Sequence, residues 1–141
     1  VNRREAYRRL LAGISADLGA YAGLAELLEK QFHALLAHDA KTLQALGERI
    51  EALVADLDLR RSERVELVAA LGAGDVPRPV ERVLEPLPAA TREATLQAWR
   101  TLETRLHVCQ RKNTRNCELL MGQHARLVQA NGGESDTYAP R

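Results

Sequence analysis

Proline placement divides this chain before any other feature does. None occurs before Pro77 and none between Pro88 and Pro140, while residues 72–90, GAGDVPRPVERVLEPLPAA, hold four of the five. A proline removes a backbone donor and clashes with the preceding helical turn. The two proline-free stretches can therefore be long helices, and the segment between them is a connector with room for one short turn around Val80–Leu84. The connector is long for a bundle loop, so some of it should pack on the helices. Aromatic residues make up only 4% of the chain and the apolar set is mostly Leu, Ala and Val. That composition suits helix-on-helix packing rather than a sheet sandwich.

The first seventy residues follow helical periodicity. Tyr21, Leu24, Leu28, Phe32 and Leu35 form one stripe, and Leu43, Leu46, Ile50, Leu53 and Leu57 another, at the three–four spacing of a coiled-coil seam. Between them Asp39 can accept from the Thr42 N–H as a helix N-cap, which predicts a break near His38–Asp39; a single bent helix is the alternative. Beyond Leu57 two continuations compete. One runs through Arg60, Arg64, Leu67 and Leu71, the other through Arg61, Val65 and Val68 after a stutter. After the connector, residues 91–130 read as one long helix with a seam of Trp99, Leu102, Leu106, Cys109, Asn113, Leu120 and Leu127. Gly132–Gly133 is the expected stop, with Asn131 as a cap, and residues 134–141 the expected mobile tail. The predicted fold is all-α: one domain over residues 1–133, an elongated antiparallel bundle of about three long helices. Such a thin bundle leaves a face or groove for a second protein or a second copy.

The stretch QRKNTRNCELL, residues 110–120, is the odd one. Asparagine is a mediocre helix former, yet Asn113 and Asn116 stand three apart among Arg111, Lys112 and Arg115. A buried asparagine can fix register between helices, or both amides can bond a partner helix. Arg105, Arg111, Lys112, Arg115 and Arg126 face only Glu118 between residues 104 and 133, which favours an acidic partner surface. Over the whole chain the charges nearly cancel, 20 basic against 19 acidic and +1 net, giving no global case for nucleic acid. No stretch of eighteen apolar residues is free of charge, so stable membrane insertion is not expected. The amino-terminal VNRREAYRRLLAG is basic without a signal-peptide core.

Cys109 and Cys117 would lie about 12 Å apart along one helix, too far for a disulfide. They read as small hydrophobes in a reducing, cytoplasmic setting. Neither they nor the four histidines have zinc-ligand spacing. Nucleophile elbows, phosphate loops and dinucleotide motifs are missing from the sequence. No enzyme activity and no cofactor are expected. Tyr138, after Ser135, Asp136 and Thr137, reads as an aromatic anchor on a loose string.

Taken together, NTRNCELL, the long leucine-rich helix before it and a tyrosine after it resemble the FlgN family over roughly residues 10–140. The match runs through Asn113, Arg115, Asn116, Leu119, Leu120 and Tyr138, with Cys117 where glycine is common. The resemblance implies a cytoplasmic chaperone of the flagellar type III export system. It would hold the terminal helices of hook–filament junction proteins (FlgK and FlgL) and bring them to the export gate. The carrying region would be Leu106 to Tyr138. Leu106, Cys109, Leu119, Leu120 and Leu127 would cover the substrate's apolar face, Asn113 and Asn116 would pair its polar atoms, and Arg111, Lys112 and Arg115 would steer it. Tyr138 would dock on the cytoplasmic domain of the gate. The rival is a coiled-coil module that self-associates through the third helix, and a homodimer of the free protein stays open.

Overall fold

The structure is a computed structural model; it describes the backbone of residues 2–138 and the side-chain surroundings of residues 2–131. Four helices follow in order: α1 (Arg3–Leu36), α2 (Ala40–Ala70), the short α3 (Pro79–Leu84) and α4 (Ala89–Tyr138). Among the described residues there is no strand.

The helix boundaries come from local chemistry. Asn2 caps α1 by accepting from the Glu5 N–H at 2.8 Å. Asp39 caps α2 by accepting from the Thr42 N–H at 3.1 Å, so the break lies where the cap predicts it. His38 makes the turn with a positive φ of 52°, and the next amide, Asp39 N–H, reaches back to Ala34 O. At the end of α2 the same turn is made by Gly72 at φ 89°, with Ala73 N–H on Val68 O. Both are the left-handed helix endings that satisfy orphan carbonyls. In the connector, Pro79 opens α3, and its missing N–H costs nothing at a first helical turn. Tyr7 of α1 donates to Val83 O at 2.5 Å, and Val80, Val83 and Leu84 are buried. The connector is thereby packed as a lid over one end of the helices. The expected stop at Gly132–Gly133 is not where α4 ends: the helix continues to Tyr138.

α1 is the central helix. Both α2 and α4 pack closely along it, whereas α2 and α4 bring no Cα pair within 8 Å of each other among the described residues. α2 returns antiparallel to α1. α4 runs parallel to it, in a register in which Cys109, Asn116 and Gln123 each meet the residue 88 positions earlier. Being covered on two sides explains the composition of α1. One 18-residue window of it has a mean hydropathy of 1.2, long and apolar enough by composition alone to cross a bilayer. In the fold, Leu10, Ile14, Tyr21, Leu24 and Leu28 of this helix are core.

The choice between the two α2 seams is decided by Asp17. It is 1% exposed and accepts from Arg60 Nε and, at 2.8 Å, from Arg64 Nη1. The seam therefore passes through Arg60 and Arg64 to Leu67 and Leu71; of the competing stripe Val65 is left 63% exposed and Arg61 exposed, and Val68 alone is buried, at the connector end. Arg64 also lies over the Trp99 ring of α4, 5.3 Å from its centroid, so one buried carboxylate ties all three long helices together at the connector end.

Candidate functional site

The face that α4 turns to α1 is more polar than its apolar stripe suggests. Four side chains donate to α1 backbone carbonyls: Arg105 to Leu18 O (2.7 Å), Cys109 to Tyr21 O (3.3 Å), Asn116 to Leu28 O (2.7 Å) and Gln123 to Leu35 O (2.8 Å). From Cys109 onward the donors recur every seven residues on both helices, the period of two helices wound as a coiled coil. A helical carbonyl already bonded within its helix keeps a second lone pair for such a donor.

Asn116 is the centre of this ladder. It is 2% exposed; its Nδ2 also donates to Gln31 Oε1 at 2.9 Å, and its Oδ1 accepts from Arg115 Nε at 3.1 Å. Beside it, Glu29 of α1 accepts from Lys112 (2.5 Å) and Arg115 (3.2 Å). The hydrogen bond from Lys112, then that from Arg115, holds the Glu29 carboxyl below its ordinary pKa. The Arg115 guanidinium carbon lies over the Phe32 ring, 3.8 Å from its centroid, its Nη2 without an acceptor among the described residues. Burial pushes the Cys109 thiol pKa up.

Several expectations about the odd stretch are corrected by this geometry. Of the two roles read from the sequence for Asn116, register or partner contact, the structure gives it the first: it is inside the fold and fixes the register of α4 on α1. Asn113, expected in the seam, is exposed. Cys109 is buried against Tyr21 beneath the cleft, 3% exposed. Lys112 and Arg115 share the single carboxylate of Glu29, and Arg105 is bonded to Leu18, so much of the basic run is tied to α1. Arg111 is exposed, but it lines a shallow recess with His107, Thr114 and Glu118 on the outer side of α4. Leu119 is half-buried.

What remains open lies between α2 and α4. Because those helices flank α1 without meeting, they leave a cleft along its length. At the connector end is a recess of about 1100 Å³ with Trp99, Val65 and Val68 in its walls. In the middle, Tyr21, Leu24 and Leu28 of α1 form a floor between Ile50, Val54 and Leu57 of α2 and Leu106 and Asn113 of α4. At the far end Leu43 faces Asn113, Cys117 and Leu120 over Gln31 and Leu35. At about 100° per residue, Leu106, Asn113, Leu120 and Leu127 share the cleft side of α4. Leu120, Met121, Leu127 and Val128 are 54%, 69%, 61% and 53% exposed. α1 ends at Leu36, whose partner in the parallel register would be residue 124, so Leu127 and Val128 ride on a helix that has outrun its support. Large apolar side chains left open in one line mark a place where another surface docks.

The model of the family described as FlgN protein matches residues 6–130. The chain belongs to the FlgN family. No curated protein and no solved structure matches it. FlgN membership supports a general role as a flagellar export chaperone, and a chaperone needs what this fold leaves unfinished: an apolar cleft without a covering helix. The α2 wall of that cleft was missed by sequence reasoning. The exposed Val54 stands four residues from Ile50 on the predicted seam and was its one available signal. Tyr138 is the last residue of α4; its side chain lies outside the described residues.

Proposed function

We propose that this FlgN-family protein holds the terminal amphipathic helices of flagellar hook–filament junction proteins, FlgK and FlgL, in the cleft between α2 and α4. It keeps them from associating early and delivers them, on the cytoplasmic side, to the export gate. The observation that carries the reading is the line of apolar residues from Leu106, half-buried in the cleft, through the exposed Leu120 to the exposed Leu127 past the end of α1. An isolated terminal helix exposes one apolar face and aggregates through it. Here that face meets Leu106, Leu120 and Leu127, and the exposed amide of Asn113 satisfies a polar atom at its edge. No bond is made or broken, and the open cleft allows release. Tyr138 is proposed as the contact to the cytoplasmic domain of the gate.

The test mixes purified protein with junction protein and measures complex formation by size exclusion with light scattering. A stoichiometric complex is expected, and Leu120→Asp with Leu127→Asp abolishes it while helicity is retained, because both side chains are already in solvent. A complex unaffected by the two changes overturns the assignment of this face. Tyr138→Ala should keep the complex but lower gate binding; loss of the complex itself would move Tyr138 into the substrate clamp.

A further inference from the structure

The middle of the cleft has an electrostatic sense opposite to that of the basic stretch on α4. Glu51 and Asp58 are exposed on α2, seven residues apart and therefore on one side of the helix. They flank Val54 along the cleft rim, and Asp58 lines the cleft directly. Neither forms an ion pair among the described residues, unlike Asp17, Glu5 and Glu29. Across from them the rim of α4 offers Gln110, Asn113 and Cys117, none of them charged. The cations that line the cleft, Arg61 (one turn beyond Asp58 on α2), Arg64, Arg78 and Arg100, lie in the recess beside Trp99 at the connector end, with Asp75, Glu81 and Glu103. The cations that the sequence suggested as steering groups are paired with Glu29 or, like Arg111, on the outer side of α4.

Resting on the chaperone reading above, we infer that the cleft takes an amphipathic helix whose flank beside α2 is basic. Its apolar face covers Tyr21, Leu24 and Leu28, and its lysines or arginines stand over Glu51 and Asp58. The apolar floor runs from Leu57 and Leu106 to Leu43 and Leu120, the same fourteen-residue span on each wall. At 1.5 Å per residue that is about 21 Å, or about four helical turns, the segment length this stretch accommodates.

The experiment uses the full chain and two designed peptides of about four helical turns. Both carry one Leu/Ala stripe; one has lysines along its flank and the other glutamates. Fluorescence anisotropy at low salt should give about tenfold tighter binding of the lysine peptide, the scale expected for two exposed charge contacts turned from repulsive to attractive. The preference should reverse in the double variant Glu51→Lys, Asp58→Lys, whose helicity is unchanged because both positions are in solvent. It should persist in Arg111→Glu. Equal binding of the two peptides, preference for the glutamate peptide, or binding of neither overturns the inference. If the junction-protein complex forms while the peptide preference is missing, only the inference fails; if no junction-protein complex forms, the chaperone reading beneath it fails as well.

Discussion

Replacing Asn116 by alanine separates the two roles that asparagine can play in this helix. The change removes the donor to Leu28 O and Gln31 Oε1 and the acceptor for Arg115 Nε. Leu28 O keeps its own helical bond and Gln31 is half-buried, so neither is stranded outright. Two interhelical hydrogen bonds at a net value of about 1 kcal/mol each put the loss at about 2 kcal/mol. For a chain of this length that lowers the melting midpoint by roughly 4–8 °C. Asn113→Ala, at an exposed position one turn away, should fall within about 0.5 kcal/mol of the parent. Urea unfolding followed by circular dichroism measures both, and the slope of the transition should be the same for each variant. Junction-protein affinity should move the other way, weakened by Asn113→Ala and little changed by Asn116→Ala once the protein is folded. Equal destabilisation by the two variants, or none by Asn116→Ala, would refute the assignment of Asn116 to the register of α4.

Three further outcomes follow from the interior. Asp17→Ala leaves Arg60 and Arg64, whose side chains are 27% and 13% exposed, without their carboxylate. The loss should be about 3–5 kcal/mol by the same urea assay. Glu29 has its pKa lowered in the fold, so its stabilisation is complete above the unfolded value near 4.5 and is lost as pH falls through the lower folded value. Stability should therefore drop below about pH 4.5 less steeply in Glu29→Gln than in the parent, read from urea midpoints across pH. Alkylation of the native protein should modify the exposed Cys117 and spare Cys109, whose thiol is buried and raised in pKa; mass spectrometry of the digest checks this.

The elements of this fold were legible because their ends are written in local chemistry: the prolines of the connector and the cap at Asp39 act within a few residues. The faces were harder to read. The α2 seam runs through Arg60 and Arg64, which look like a break until Asp17, more than forty residues away, supplies the counter-charge. On α4 one apolar stripe supplies both packed and open residues. Leu102 and Cys109 of that stripe are core, while of the residues expected to cover a substrate Leu106 and Leu120 line the cleft and Leu127 is exposed; α1 is met as well by Asn116, Gln123 and Arg105 through its carbonyls. Backbone carbonyls leave no trace in a sequence, so helix contacts of this kind invert the usual reading of polar as outward. The charges misled for the same reason: Lys112 and Arg115 look free until Glu29 is placed beside them. The family, by contrast, was readable from NTRNCELL and the surrounding pattern.

Site-specific photo-crosslinking shows whether junction protein sits in the cleft between α2 and α4. A benzophenone residue placed singly at Val54 or Leu120, in the cleft, and at Ala16 or Arg111, outside it, is irradiated with junction protein bound. The account predicts crosslinks from Val54 and Leu120 and none from Ala16 or Arg111. Crosslinks from the outer positions with silence at Val54 would contradict it.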